Sequence, residues 1–398
     1  MQRLLTVILA CLGMVGALAI DTYLPSMPAI GRAFAVGPVA VQQTLSVFLF
    51  MFAFMMLFYG TLSDSFGRRP VILIALVVYT AASAGAALAP TFGWLLLCRA
   101  LQGMSAGAGS VIGQAIVQDR FTGADAQRIM SHVMMVFGLA PAVAPILGGW
   151  LFVSFGWRAT FVFLAIFGAL MLVTCLRLLP ESLPSAKRHA FHFGAIARNY
   201  AKVLGHPQFL LLSLSVGLAF GGLSLYIGSA ANFIMDILHL PETAFAWMFI
   251  PLISGMVIGS AWGGKRATKM PAATLRAIGF CTMLLACVLN VGYTAWAGDR
   301  VAVPWAVLPL MVYTLGLAVA MPAIQVGALG LFPENRGLAS SMLSFIQMMS
   351  FALVSGLVAP LLFGSAFKIA CGVAIGLAAS FAACRLGYAL ARGRAVEA

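Results

Sequence analysis

The sequence predicts an all-α polytopic membrane protein, and three observations carry that prediction. Of its 398 residues 62% are apolar and 8% charged, whereas soluble domains carry about 25% charged residues. Twelve stretches contain no Asp, Glu, Lys or Arg, each near the ~20 residues that a spanning helix needs. The 23 Lys and Arg residues gather in alternate connections between these stretches. Only helices or closed barrels satisfy the backbone in lipid. Barrel strands would alternate in polarity over about 10 residues, which these stretches do not.

The first stretch, residues 4–20, follows Arg3 and stops at Asp21. A basic start, an apolar run and Ala17-Leu18-Ala19 have the outline of a cleavable secretory signal. A second apolar run follows directly, so the segment is expected to remain as span one. Span two, 39–63, ends at Asp64. Spans three, 71–98, and four, 100–118, are separated in charge only by Arg99, which is placed inside span four. Span five, 129–157, contains Pro141 and Pro145; each removes a backbone donor and can bend the helix. Span six is 159–176. Six more follow, at 203–235, 243–264, 277–298, 301–333, 337–367 and 369–384. The longest polar stretch divides the chain into an N-terminal half, 1–179, a linker, 180–207, and a C-terminal half, 208–398. In the linker Phe193, Ile196, Ala197, Tyr200 and Leu204 recur at helical spacing beside Arg198 and Lys202. That pattern reads as an interfacial amphipathic helix or as a solvated linker. Arg128 and Arg336, 208 positions apart, each open a Gly- and Pro-rich span, an echo that suits two repeated six-helix halves.

Basic residues set the orientation. With the N-terminus inside, seventeen Lys and Arg fall in inner segments and four in outer ones, namely Arg32, Arg158, Arg300 and Lys368. Both termini are therefore expected in the cytoplasm. The net charge of +13 is topological on this reading, and no nucleic acid is expected as a partner. The seven cysteines all lie in spans without a C-x-x-C pair, as small hydrophobes do. His189 and His192 lack acidic or Cys companions, so no metal site is expected. Nor is any cofactor, since neither a phosphate-binding loop nor a Ser/His/Asp cluster is visible. An enzyme is not expected, and uphill movement of a solute would have to use an ion gradient.

"GTLSDSFGRRP" (60–70) lies between spans two and three. Gly60 would let helices approach closely. Asp64 could accept helix-terminal N–H groups or pair with Arg. Gly67 permits a sharp turn, and Arg68 and Arg69 would anchor the loop at the inner surface. "LLLCRALQGMSAGAGSVIG" (95–113) puts Arg99 and Gln102 three apart on one helix face, followed by Gly103. A charge inside a span costs about 2.5–3.5 kcal/mol on insertion scales, so Arg99 either snorkels outward or serves an inward role. "LAPAVAPILGGW" (139–150) contributes Pro141, Pro145, Gly148 and Gly149, as a structural kink or a functional one.

These motifs resemble those of the major facilitator superfamily: G-x-L-x-D-x-x-G-R-[RK] in loop 2–3 and L-x-x-x-R-x-x-Q-G in span four. The span-five segment is similar to the antiporter motif of its drug-efflux branch, with Ala140 and Ala144 in place of two glycines. "DTYLP" (21–25) resembles the start of the bicyclomycin/chloramphenicol-resistance branch of twelve-helix drug:proton antiporters. The resemblance covers about the first 150 residues. It implies the major facilitator fold, alternating access, a loop 2–3 latch made by Gly60, Asp64, Gly67, Arg68 and Arg69, and a bacterial inner-membrane location. The second-half counterpart, "GSAWGGKRATKM" (259–270), has no acid, so the latch is expected to be asymmetric.

A carboxylate in a low-dielectric cavity favours its neutral form. Asp21 is thus expected to take up a proton, with Arg99 nearby to oppose it, unless Asp21 is a helix end in water. Tyr23, Gln102, Tyr226, Asn232, Gln325 and Gln347 are candidates for a substrate cavity or for helix–helix hydrogen bonds. The expected function is export of small hydrophobic, drug-like compounds in exchange for protons, by a monomer in the lipid bilayer. A proton-coupled uptake or metabolite permease of the same fold is the alternative.

Overall fold

The predicted first span, 4–20, lies within one helix, and two shorter pieces follow it. Helix α1 (Gln2–Asp21) ends in a 3-10 turn, Leu24–Ser26, and the chain continues as α2 (Met27–Phe34). Pro25 and Pro28, at the starts of the turn and of α2, fit there because the first helical N–H groups have no intrahelical acceptor. Helix α3 (Pro38–Phe66) likewise begins on a proline, after extended Gly37. The computed structural model describes residues 2–121, 123–184, 188, 193–267, 269–333 and 336–397. His189 and His192 lie outside the described residues.

Helix α4 (Arg68–Ala87) is followed by α5 (Phe92–Ala106) and α6 (Ala108–Arg120). The charge-free run 71–98 is therefore not one span. The chain turns at residues 88–91, where the Thr91 hydroxyl accepts the Trp94 N–H at 3.3 Å and caps α5. Span four is α5 plus α6, interrupted at Gly107. Helix α7 (Gly123–Phe155) runs through Pro141 and Pro145, and α8 (Trp157–Leu178) follows Gly156, which has φ +82°.

Next come α9 (Phe193–Leu204), α10 (Pro207–Gly228), a π turn at Asn232–Ile237, α11 (Ala246–Arg266), α12 (Ala272–Ala297) and α13 (Leu308–Leu329). Helix α14 (Arg336–Leu353), a π turn at Val354–Val358 and α15 (Ala359–Leu362) make one broken span, and α16 (Ala366–Glu397) closes the chain. Eleven helical segments among the described residues are long and apolar enough to cross a membrane. The 33-residue α7 supplies the twelfth.

The chain forms two compact units, Met1–His192 and Phe193–Ala398. In the first, α1 packs on α6 and α7, α3 on α5, and α4 on α5 and α8. Leu9, Leu12, Ile72, Ile112, Ile116 and Cys175 share one core there. In the second, α10 packs on α13, α14 and α16, while α12 packs on α13 and α16. The large apolar side chains Leu361, Val326 and Ile375 point outward, at 71–78% exposure. Lipid solvates such faces as well as a protein interior does, so helix association rests on close packing and hydrogen bonds instead. Helix α9 packs on α10 and α14 with Tyr200 and Val203 buried. Burial pushes the Tyr200 phenol up, against a hydrogen bond with Ser341.

Candidate functional site

The interior of the first unit holds two buried ionisable side chains at the heart of the sequence motifs. Asp21, the last residue of α1, is 3% exposed and Arg99 of α5 is 0% exposed. The Arg99 guanidinium donates from Nε to the Thr44 carbonyl at 3.2 Å. Its Nη1 donates to the Ala19 carbonyl at 3.1 Å and to Gln102 Oε1 at 3.0 Å. Tyr23 and Phe48 cover it, with ring centroids 4.2 and 4.3 Å from Cζ. Gln102 in turn donates to Ser83 Oγ at 2.8 Å, and the Tyr23 and Thr44 hydroxyls lie 3.3 Å apart. Arg99 thereby ties α1, α3 and α5 together and reaches α4 through Gln102. Ala19 lies in the last turn of α1, where carbonyls lack intrahelical donors and a cation is favoured.

Two alternatives are removed by this geometry. Arg99 does not snorkel outward, since its head is held by interior carbonyls. Asp21 is not a helix end in water. Nor do the two pair directly: the ion pairs among the described residues are Arg68–Asp64, Arg68–Asp119 and Arg188–Glu181. Neutral acceptors take Nε and Nη1 of Arg99 and two rings cover its faces, while Nη2 has no hydrogen-bond partner among the described residues. Asp21 Oδ1 has no hydrogen-bond partner among the described residues, and neither do the neighbouring Thr22 and Ser26 hydroxyls.

The motif glycines bring this cluster together. A Cβ at Gly103 would strike the Phe48 carbonyl, and one at Gly148 would strike the carbonyl of Thr22, next to Asp21. The span-five motif thus abuts the Asp21 turn through backbone contact that any larger residue would break. Pro145, Gly148 and Gly149 are buried on α7, and Pro141 is partly so.

At the loop between α3 and α4, Gly67 has φ +100°, a conformation that favours glycine. Asp64 pairs with Arg68 at 2.6 Å. Two expectations change here. Arg68 is no surface anchor; it is buried and also bonds Asp119 Oδ2 at 3.1 Å and Ser63 Oγ at 2.6 Å. Gly60 serves no close approach, because a Cβ there meets nothing within 4 Å; the steric demand falls on the bend at Gly67 instead. The helix-terminal N–H groups of α4 go to Glu181, which accepts from Arg68 N at 3.1 Å and Arg69 N at 3.3 Å. Arg69 Nη2 donates to the Leu176 carbonyl at 2.7 Å. Asp119 and Glu181 were not singled out in the sequence. Both are scarce acids on the Lys- and Arg-rich side of the chain, and that was the available signal.

The six cavity candidates divide. Tyr23 and Gln102 belong to the Arg99 cluster. Tyr226 accepts from Asn290 Nδ2 at 2.7 Å, a bond between α10 and α12. Asn232 donates to Asp236 at 2.7 Å and accepts from Gly364 N at 3.1 Å, which fastens the π turn to the loop before α16. Gln325 and Gln347 are partly buried and make no hydrogen bond among the described residues.

A family model described as the Major Facilitator Superfamily matches residues 9–355. A bicyclomycin resistance protein homolog of Haemophilus influenzae is 28% identical over 358 residues, which are 88% of this chain and 87% of that protein. Multidrug resistance protein D of Escherichia coli is 28% identical over 366 residues, 90% of this chain and 89% of that one. The solved structure of a D-xylose–proton symporter superposes with a TM-score of 0.75 over 96% of this chain and 97% of its own, at 16% identity. That last likeness is one of fold.

Proposed function

Because this chain belongs to the major facilitator superfamily, we propose that it is a proton-coupled antiporter that exports small hydrophobic, drug-like compounds by alternating access. Membership makes it a multi-pass membrane transporter rather than an enzyme. The names of the bicyclomycin and multidrug resistance relatives support the substrate class. The single observation that carries proton coupling is Asp21, a buried carboxylate with an unpartnered oxygen in a unit whose buried arginine makes no ion pair with it. Such a carboxylate can hold a proton or a cationic substrate group, but not both well. Neutral drugs and monovalent lipophilic cations are then substrates, and divalent cations are poor ones.

The basic asymmetry supports cytoplasmic placement of both termini, and on our proposal the protein works as a monomer in the inner membrane. The halves 1–179 and 208–398 move against each other, and linker 180–207 spans them. The reading is tested with purified protein in liposomes carrying an internal pH dye. Addition of tetraphenylphosphonium or chloramphenicol should move protons opposite to the drug. Movement in the same direction identifies an uptake permease, and absence of coupled movement removes the antiport reading.

The Asp64–Arg68 pair serves as the latch in this proposal. Asp64 is 45% exposed whereas Arg68 is buried, so removing the Asp64 charge leaves a solvated position on one side and a guanidinium with other acceptors on the other. Asp64→Asn is therefore expected to insert and fold normally, with Arg68 still held by Asp119 and Ser63, yet to transport several-fold more slowly. Wild-type transport rates in Asp64→Asn vesicles would show that the pair has no part in switching.

A further inference from the structure

A cleft of about 470 Å³ opens between the start of α12 and the end of α16, lined by Arg276 and Phe280 from one helix and Phe381, Arg385 and Tyr388 from the other. Arg276 lies over the Tyr388 ring, with Cζ 3.9 Å from its centroid. That stacking occupies the face of the guanidinium and leaves its N–H edges free. Neither Arg276 nor Arg385 makes an ion pair or a hydrogen bond among the described residues. The motif arginines of the first unit differ: Arg68 is paired with two acids and Arg99 is bonded to three acceptors.

The surroundings say what kind of anion suits these two charges. Arg276 lies four residues past the start of α12, about 6 Å down the helix at 1.5 Å per residue. That is head-group depth rather than the hydrocarbon centre. Lys265 and Arg266, which end α11, and Lys269 beyond them share this end of the unit. Next to the guanidiniums the wall is greasy and faces outward, with Phe381 48% and Leu386 58% exposed. A soluble anion would use the two charges but leave that wall empty. A phospholipid fills both, with phosphate between the arginines and acyl chains along Phe381 and Leu386. A zwitterionic head group brings no net charge to offset two cations, whereas an anionic one does. Basic pockets between spans on the cytoplasmic side bind anionic head groups in this way.

We propose that the α12–α16 cleft is a binding site for one anionic phospholipid of the inner leaflet, held by Arg276 and Arg385. It is separate from the Asp21 cluster, and the proposal does not depend on what the protein transports.

Native mass spectrometry of the detergent-purified full chain tests it, with added phosphatidylglycerol, phosphatidylcholine or glycerol 3-phosphate. The wild type should retain phosphatidylglycerol in preference to phosphatidylcholine, and millimolar glycerol 3-phosphate should not displace it. The double variant Arg276→Ala/Arg385→Ala should bind phosphatidylglycerol roughly 30-fold more weakly, from about 1 kcal/mol per basic side chain. Equal retention of the two lipids would reduce the cleft to an apolar groove and overturn the proposal. Displacement by glycerol 3-phosphate would make it a simple anion site and overturn it as well. If the double variant is not monodisperse on size exclusion, the exposed-site variant Arg385→Gln decides. It should lose about fivefold, the effect of one such charge, and unchanged binding overturns the assignment.

Discussion

Asp21→Asn is expected to abolish proton-driven export while leaving a folded protein in the membrane. The substitution is nearly isosteric, and it removes a buried charge without stranding a partner, because Asp21 makes no ion pair and Arg99 is bonded elsewhere. Folding therefore has little to lose. Coupling has everything to lose, since asparagine can neither release a proton nor neutralise a cation. Detergent-solubilised wild type should release protons when tetraphenylphosphonium is added, and Asp21→Asn should release none. Neutral drugs should still bind to the variant. In the wild type, cation binding should weaken as the pH falls through the Asp21 titration, because protonation removes the compensating charge; in the variant this pH dependence should vanish. Proton release from Asp21→Asn equal to that of the wild type would place the coupling site elsewhere. Asp236 is the nearest alternative by chemistry, but it is exposed and bonded to Asn232.

The second large effect is expected at Arg99, where Arg99→Ala and Arg99→Lys together separate charge from geometry. Truncation to alanine leaves the Ala19 and Thr44 carbonyls and Gln102 Oε1 without this donor. The Thr44 carbonyl keeps its place in the α3 ladder, but a buried acceptor left with no partner costs roughly 1–3 kcal/mol. The lost cation–π faces add about 2 kcal/mol or more when desolvated. Arg99→Ala should therefore lower the melting temperature markedly and eliminate transport. Lysine restores the charge but not the planar fork that reaches three acceptors on three helices. Arg99→Lys should fold better than Arg99→Ala and remain transport-deficient by tenfold or more. Wild-type transport by Arg99→Lys would show that only a positive charge is needed at this position, and would remove the bracing role.

Most of the fold was legible because a lipid-spanning helix is almost fully specified by length and the absence of charge. The boundaries were not, where a turn is itself apolar. The 88–91 turn hides inside a run without charges, and only Pro90 and the Thr91 cap mark it. The first span was different: Asp21 marked the end of α1, and Pro25 and Pro28 accompany the 3-10 turn and short helix beyond it. Among the site residues, Arg99 and Asp21 stood out because an ionised group in a span is costly. Ser83 and Thr44 did not, since such residues are common in apolar helices and nothing in their spacing points to Gln102 or to Arg99 on another helix. The role of Arg68 was misjudged for a related reason: its partner Asp119 is 51 positions away, beyond the reach of any local pattern. Gly148 was recognised as part of a motif, but that it meets the Thr22 carbonyl follows only from how α1 and α7 pack.

Glu181 has a bearing on how the chain is made as well as on how it works. It is synthesised directly after the sixth span, yet it accepts the first N–H groups of the third, and its own carbonyl accepts Arg120 Nη2 at 2.9 Å. The start of α4 therefore waits, with its terminal donors unmet by this carboxylate, until some 113 further residues have emerged. Up to then the earlier helices can insert, but this clasp remains open. When residue 181 arrives, its carboxylate meets the start of α4 and its backbone carbonyl meets Arg120 at the end of α6, before any helix of the second half exists. Assembly of that half has its own endpoint, written just past its last helix.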